Sequence, residues 1–185
     1  MIDENNVHVI VMLCCEIENG KEKCAYYWGE NNKMTKYQIK RGQKYQRNKY
    51  IVRDIILINN STKTKRVVRQ IQFIGWPDNG IPNISNGKIF EVFNEMINLV
   101  DQNRENCPIV VHCSAGVGRT GTFICIYCLN KEIRSQIDEN VKEIQFNIFN
   151  LVRKLKEMRL FSVQTYLQYV FIYQYVHYFL INYNK

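Results

Sequence analysis

A chain of 185 residues, 46% hydrophobic and 23% charged, is long enough to bury a core and too apolar for wholesale disorder, so one folded domain over 1–185 is expected. Its 25 Lys+Arg against 17 Asp+Glu leave a charge of +8, which favours anionic partners without choosing among nucleic acid, an acidic membrane surface and phosphorylated protein. No Lys/Arg cluster with interleaved aromatics stands out, so no nucleic-acid partner is expected.

From the N-terminus, Val7–Leu13 is a β-branched run that predicts a buried strand. Residues 23–28 predict a second strand, followed by a polar stretch over 29–35. Two β-rich runs, 50–58 and 65–74, flank Asn59-Asn60-Ser61-Thr62-Lys63, which reads as the turn of a hairpin. Ser85 offers a helix N-cap, and Ile89, Phe90, Phe93, Ile97 and Val100 recur at helical spacing. Pro108 leads into a short apolar strand ending at His112. Helical patterns follow over 119–135, 148–158 and 162–182. The last is rich in aromatics, but Gln164, Gln168, Gln174 and His177 interrupt it, so it predicts a buried helix and no membrane span. Strands fill the first half and helices the second, which predicts an α/β or α+β domain.

The seven cysteines are odd in number, and the acidic start of the chain does not resemble a secretory signal, so reduced thiols in the cytoplasm are expected. Cys125 and Cys128 have redox or metal spacing, but His8, His112 and His177 form no second pair at ligand spacing. Small buried hydrophobes are the simpler reading of these cysteines, and no metal is expected.

A cysteine followed by five residues and an arginine is weak evidence, because Cys128 and Arg134 satisfy it too. That second pair lies in a helical run without glycine, where the two side chains turn away from each other. Around Cys113 the surroundings differ. Gly116 and Gly118 let the loop curl so that successive N–H groups converge on an anion, and a helix beginning near Arg119 aims its N-terminus at the same point. Both effects favour a thiolate, so the Cys113 thiol is expected well below the ordinary value of about 8.5. Arg119 can hold two phosphoryl oxygens with one planar fork. The bland alternative is a glycine-containing turn around a buried cysteine.

The run His112-Cys113-Ser114-Ala115-Gly116-Val117-Gly118-Arg119-Thr120-Gly121-Thr122 resembles the signature of the cysteine-based protein tyrosine phosphatases, and the resemblance continues from Met1 to about Tyr178. It implies part of that family's fold, a mixed twisted sheet flanked by helices, lacking the N-terminal part of the family domain. It also implies phosphotyrosine-containing proteins as partners, no cofactor, and hydrolysis through a phosphocysteine. Cys113 would be the nucleophile, Arg119 and the amides of Ser114, Ala115, Gly116, Val117 and Gly118 the phosphate cradle, with His112 in support. Thr120 would help the thiolate leave.

By the same resemblance, Trp76-Pro77-Asp78-Asn79-Gly80-Ile81-Pro82 is a mobile acid loop with Asp78 as general acid and Trp76 and Pro77 at its hinge; alone it would read as an ordinary turn. The run 163–169 resembles the family's glutamine loop, in which Gln164 would place water and Gln168 would support it. By themselves these glutamines would be the wet edge of a helix. Residues 11–28 resemble a bracing segment, in which Glu18 would pair with Arg119 and Lys23 would lie near Asp78 on closure; solvated surface charge is the alternative for both.

The family's substrate-stacking loop has no counterpart in this sequence, so exposed sheet edges are expected, and with them marginal stability or association. The rival functional reading is a phosphotyrosine-binding decoy that does not hydrolyse. A viral, polydnavirus-type member acting in the host-cell cytoplasm would suit the composition. The sequence carries no signal of oligomeric state.

Overall fold

The computed structural model describes residues 1–30, 36–84 and 87–183. The expected N-cap at Ser85 and most of the polar stretch over 29–35 lie outside the described residues. The chain divides into two compact units, the first Met1–Gly75 with Asn94–Ser114, the second Trp76–Phe93 with Ala115–Lys185.

In the first unit, strand β1 (Val9–Met12) is buried at every position because it has a parallel neighbour on each side. Those neighbours are β6 (Lys65–Phe73) and β7 (Ile109–His112). β5 (Tyr50–Asn59) pairs antiparallel with β6, as the sequence predicts, with Tyr50 opposite Phe73 and Ile58 opposite Lys65. Asn59 builds the turn between them by accepting from the backbone N of Ser61 at 3.0 Å and of Thr62 at 3.3 Å. Beyond β5 lies β4 (Tyr37–Gln46), which completes a mixed sheet of five strands in the order β4-β5-β6-β1-β7.

One local expectation is corrected in this unit. Residues 23–28 are not a strand. The backbone N of Lys23 and that of Cys24 both donate to Glu16 O, at 2.7 and 3.3 Å, a bulge-like sharing of one carbonyl after which the chain leaves the ladder and turns through Tyr27 and Trp28. The strands present there are the two-residue β2 (Ile17–Glu18) and β3 (Lys21–Glu22), joined by Asn19 and Gly20 at φ 51° and 73°. Both central residues have positive φ, as a tight hairpin requires. β4 is a strand for which the sequence carried no expectation: its alternation is confined to Tyr37 and Ile39, and the rest of it is exposed.

The second unit holds helices α2 (Gly118–Asp138), α3 (Ile148–Met158) and α4 (Tyr166–Asn182), with α2 packed against both others. Helix α1 (Lys88–Asn103) begins in this unit and ends in the first. Phe123, Ile126, Leu129 and Ile133 on α2 are fully buried, as are Phe171, Ile172 and Tyr175 on α4. Burial of each such side chain stabilises the unit by roughly 1.5–3 kcal/mol. α3 has the predicted bounds, its N-cap Asn147 accepting from Asn150 N at 2.9 Å. α4 starts later than the predicted residue 162. Phe161 and Val163 stand at φ 67° and 55°, which no helical turn accommodates, and Thr165 becomes the cap. No described helix is long and apolar enough to cross a membrane.

Candidate active site

In the first unit, β7 delivers His112 and Cys113 to the end of the sheet. His112 sits in a one-way chain of donors. Gln70 Nε2 donates to the Tyr27 hydroxyl at 2.7 Å, that hydroxyl donates to His112 Nε2 at 2.8 Å, and His112 Nδ1 donates to the carbonyl of Cys113 at 3.1 Å. The tautomer is assigned from this network, since only a neutral ring accepts at one nitrogen and donates at the other. Burial lowers the His112 pKa, against a smaller raising effect of its bond to the Cys113 carbonyl, and burial also keeps the Tyr27 phenol protonated. The backbone of Cys113 is thus held by an imidazole that is itself held. Cys113 is 6% exposed, and Ser114 after it is exposed. Glu18 accepts from Cys15 N at 3.0 Å within its hairpin, and Lys23 is half-buried.

The second unit takes up the loop at Ala115. Gly116 has φ 70°, a conformation that L side chains rarely adopt, and a Cβ there would also stand 3.1 Å from Arg159 Nη2. Arg159 donates to Ala115 O at 3.1 Å, so a guanidinium 44 residues along the chain props the loop. Val117 is the N-cap of α2 and supplies no side-chain cap, which leaves the opening turn of the helix suited to an anion. Gly118, expected to matter for curl, is already helical and its φ is not positive. What it provides is space, since a Cβ there would lie 3.0 Å from the Gln168 amide and 3.2 Å from Gln164 Cβ.

Arg119 is 3% exposed and donates to Trp76 O at 3.2 Å and to Asp78 Oδ1 at 3.3 Å. The predicted phosphate clamp and the predicted acid therefore meet, with the carboxylate occupying one arm of the fork. Thr120, next on the helix, is 6% exposed. The acid loop turns at Pro77–Gly80 through Gly80 N donating to Pro77 O at 3.3 Å, and the positive φ falls on Asn79, at 57°. Trp76 pins the turn by donating from Nε1 to Gly80 O at 2.9 Å while its ring packs 5.6 Å from Phe93.

Gln168 is 1% exposed and does more than support a neighbour. Its Oε1 accepts from Gln164 N at 2.9 Å and Thr165 N at 3.3 Å, its own N is capped by Thr165 Oγ1 at 3.2 Å, and its Nε2 donates to Gly80 O at 3.4 Å. One amide closes the capping box of α4 and ties it to the acid loop. Gln164 is exposed beside Gly118.

A match to the protein-tyrosine phosphatase family spans residues 1–178. The chain belongs to that family. The human tyrosine-protein phosphatase non-receptor type 20 is 36% identical over 181 residues, which cover 95% of this chain and 40% of that protein. The human receptor-type tyrosine-protein phosphatase alpha is 37% identical over 172 residues, covering 90% of this chain and 20% of that one. Among solved structures, PTPN18 in complex with HER2 phosphopeptides superposes with a TM-score of 0.76 at 30% identity, covering 95% of this chain and 59% of that one. The fold is therefore the phosphatase fold in part, and the chain spans less than half the length of these curated relatives.

Three residues that hold these candidates were not expected from the sequence: Tyr27 and Gln70 behind His112 in the first unit, and Arg159 at Ala115 in the second. Tyr27 lies in a segment whose resemblance was visible, but Gln70 sits mid-strand and Arg159 looks like one more surface charge. Nothing in their local patterns marks them. Only Tyr27, beside Trp28 in the bracing segment, had a signal to follow.

Proposed function

We propose that the chain hydrolyses phosphotyrosine in proteins through a phosphocysteine. The Cys113 sulfur attacks phosphorus, the S–P bond forms and the P–O bond to tyrosine breaks, with Asp78 giving its proton to the departing phenolate oxygen. Arg119 and the amides from Ser114 to Gly118 hold the equatorial oxygens. Water placed by Gln164 then attacks phosphorus, Asp78 takes its proton, the S–P bond breaks with help from Thr120, and phosphate leaves. The cytoplasm is the proposed compartment, and phosphotyrosine-containing proteins the partners, as phosphopeptides are for PTPN18.

The observation that carries this reading is the buried Arg119 fork, held by a carbonyl and a carboxylate of the acid loop. A phosphoryl dianion is a stronger bidentate partner than either, so substrate displaces Asp78 from the clamp and frees it to act as an acid. The test is phosphate release from a phosphotyrosyl peptide, with Cys113→Ser as the control. Release no greater than in Cys113→Ser refutes hydrolysis, and saturable peptide binding in that case supports the decoy instead.

A further inference from the structure

Among the described residues, the thiols of Cys14 and Cys24 and a ring nitrogen of His112 lie within 4.8 Å of one another, all in the first unit. Hydrogen bonds to the backbone bring these distant segments together. Leu13 N donates to His112 O at 2.8 Å, Gln72 Nε2 to Cys14 O at 3.0 Å, and Cys24 N to Glu16 O at 3.3 Å. Cys14 is 1% exposed, whereas Cys24 and His112 are half-buried, so a cation can approach from their side.

Zinc bonds thiolate sulfur at about 2.3 Å and imidazole nitrogen at about 2.0 Å, which places tetrahedral ligand atoms roughly 3.5 Å apart. The difference from 4.8 Å is within reach of side-chain rotation. His112 is oriented as a ligand histidine is. Its Nδ1 donates to a backbone carbonyl, an outer bond that fixes the ring and leaves Nε2 to exchange the Tyr27 hydroxyl for a cation. Two sulfurs and an imidazole select zinc or copper(I) over magnesium or calcium.

We propose that Cys14, Cys24 and His112 form a zinc site with water in the fourth position, adjoining the cysteine loop through His112. Occupancy locks His112 and, through its bond to the Cys113 carbonyl, the start of the cysteine loop, which slows turnover. That consequence rests on the phosphatase reading; the binding does not.

The experiment uses the whole chain as Cys113→Ser, in a phosphine reductant, titrated with Co²⁺ and followed by thiolate charge-transfer and tetrahedral ligand-field absorption. One equivalent is expected to give both bands, and Zn²⁺ to bleach them. Cys24→Ser is expected to weaken binding on the order of tenfold or more, while Cys15→Ser leaves it unchanged. Because Cys14 is buried, Cys24→Ser carries the test, with circular dichroism to confirm folding. An affinity for Co²⁺ in Cys24→Ser equal to that of the parent protein, or the absence of the bands in the parent protein, overturns the site, as does a Cys14–Cys24 disulfide that persists in the reductant. In the protein with Cys113 intact, Zn²⁺ inhibition is expected to weaken tenfold or more in Cys24→Ser. Equal inhibition assigns the effect to another site and overturns the proposed coupling. A protein without phosphatase activity that still binds cobalt refutes the functional reading and leaves the metal site standing.

Discussion

Replacing Gly121 with alanine sets two effects of opposite sign against each other. Gly121 lies in the first turn of α2, where helix propensity alone favours alanine by up to about 1 kcal/mol. Its Cα, however, approaches the loop that carries Gln164. A Cβ at this position would stand 2.7 Å from Val163 N and 3.0 Å from Ser162 Cβ. The first of these is backbone, so no side-chain rotation relieves it. Val163 is also poorly placed to yield, because it is buried at φ 55° and its carbonyl accepts from Lys156 Nζ at 3.2 Å. Overpacking of this kind costs about 1–3 kcal/mol, which outweighs the propensity gain. The expected net loss is about 1–2 kcal/mol, a fall in Tm of roughly 2–8 °C for a chain of this size. Thermal denaturation by circular dichroism measures it. Displacement of residues 162–164 is also expected to slow phosphocysteine hydrolysis more than its formation, seen as a larger burst of released phenol in stopped-flow kinetics. A Tm equal to or above that of the parent protein would show that the approach is relieved without cost and would refute the reasoning.

Gln168→Leu removes the acceptor of two backbone N–H groups and the donor to Gly80 O, so a loss of about 2–4 kcal/mol is expected in denaturant unfolding; an unchanged midpoint would contradict the capping role. Arg119→Lys keeps the charge but loses the fork, and kcat/KM for a phosphotyrosyl peptide is expected to fall on the order of 10²-fold or more; retention of activity would remove Arg119 as the clamp. Asp78→Asn releases one arm of that fork and removes the acid, so kcat is expected to drop about 10²–10⁴-fold while peptide affinity holds or improves. Burial keeps the His112 pKa below its usual 6.5, so the unfolded chain takes up a proton before the folded one does. Its stabilisation is complete above the unfolded value and is lost as pH falls through the lower folded value. The Tm advantage over His112→Asn should therefore shrink across that interval, and a constant difference would count against a neutral ring.

Where physics is local, the sequence was sufficient. β5 and β6 announce themselves by β-branched runs around an Asn-rich turn, and α3 by its apolar spacing, because those patterns report a face that must be buried wherever the chain folds. The cysteine loop was legible for a related reason: the residues that carry the family resemblance, with Gly116 at positive φ among them, are consecutive in the chain. Only the tertiary structure could decide what depends on a partner. β4 is mostly polar and becomes a strand because β5 offers it a hydrogen-bonding edge, while residues 23–28 look like a strand but leave the ladder once Lys23 and Cys24 share the Glu16 carbonyl. The start of α4 moved to Thr165 because Gly121 approaches Val163 closely and Gln168 closes the cap. Arg159, Gln70 and the grouping of Cys14, Cys24 and His112 have no local signature, since each owes its place to chain segments that meet only on folding. Sequence determines the chemistry a residue can perform; the neighbours that orient it, shift its proton or share a ligand with it are decided by the fold.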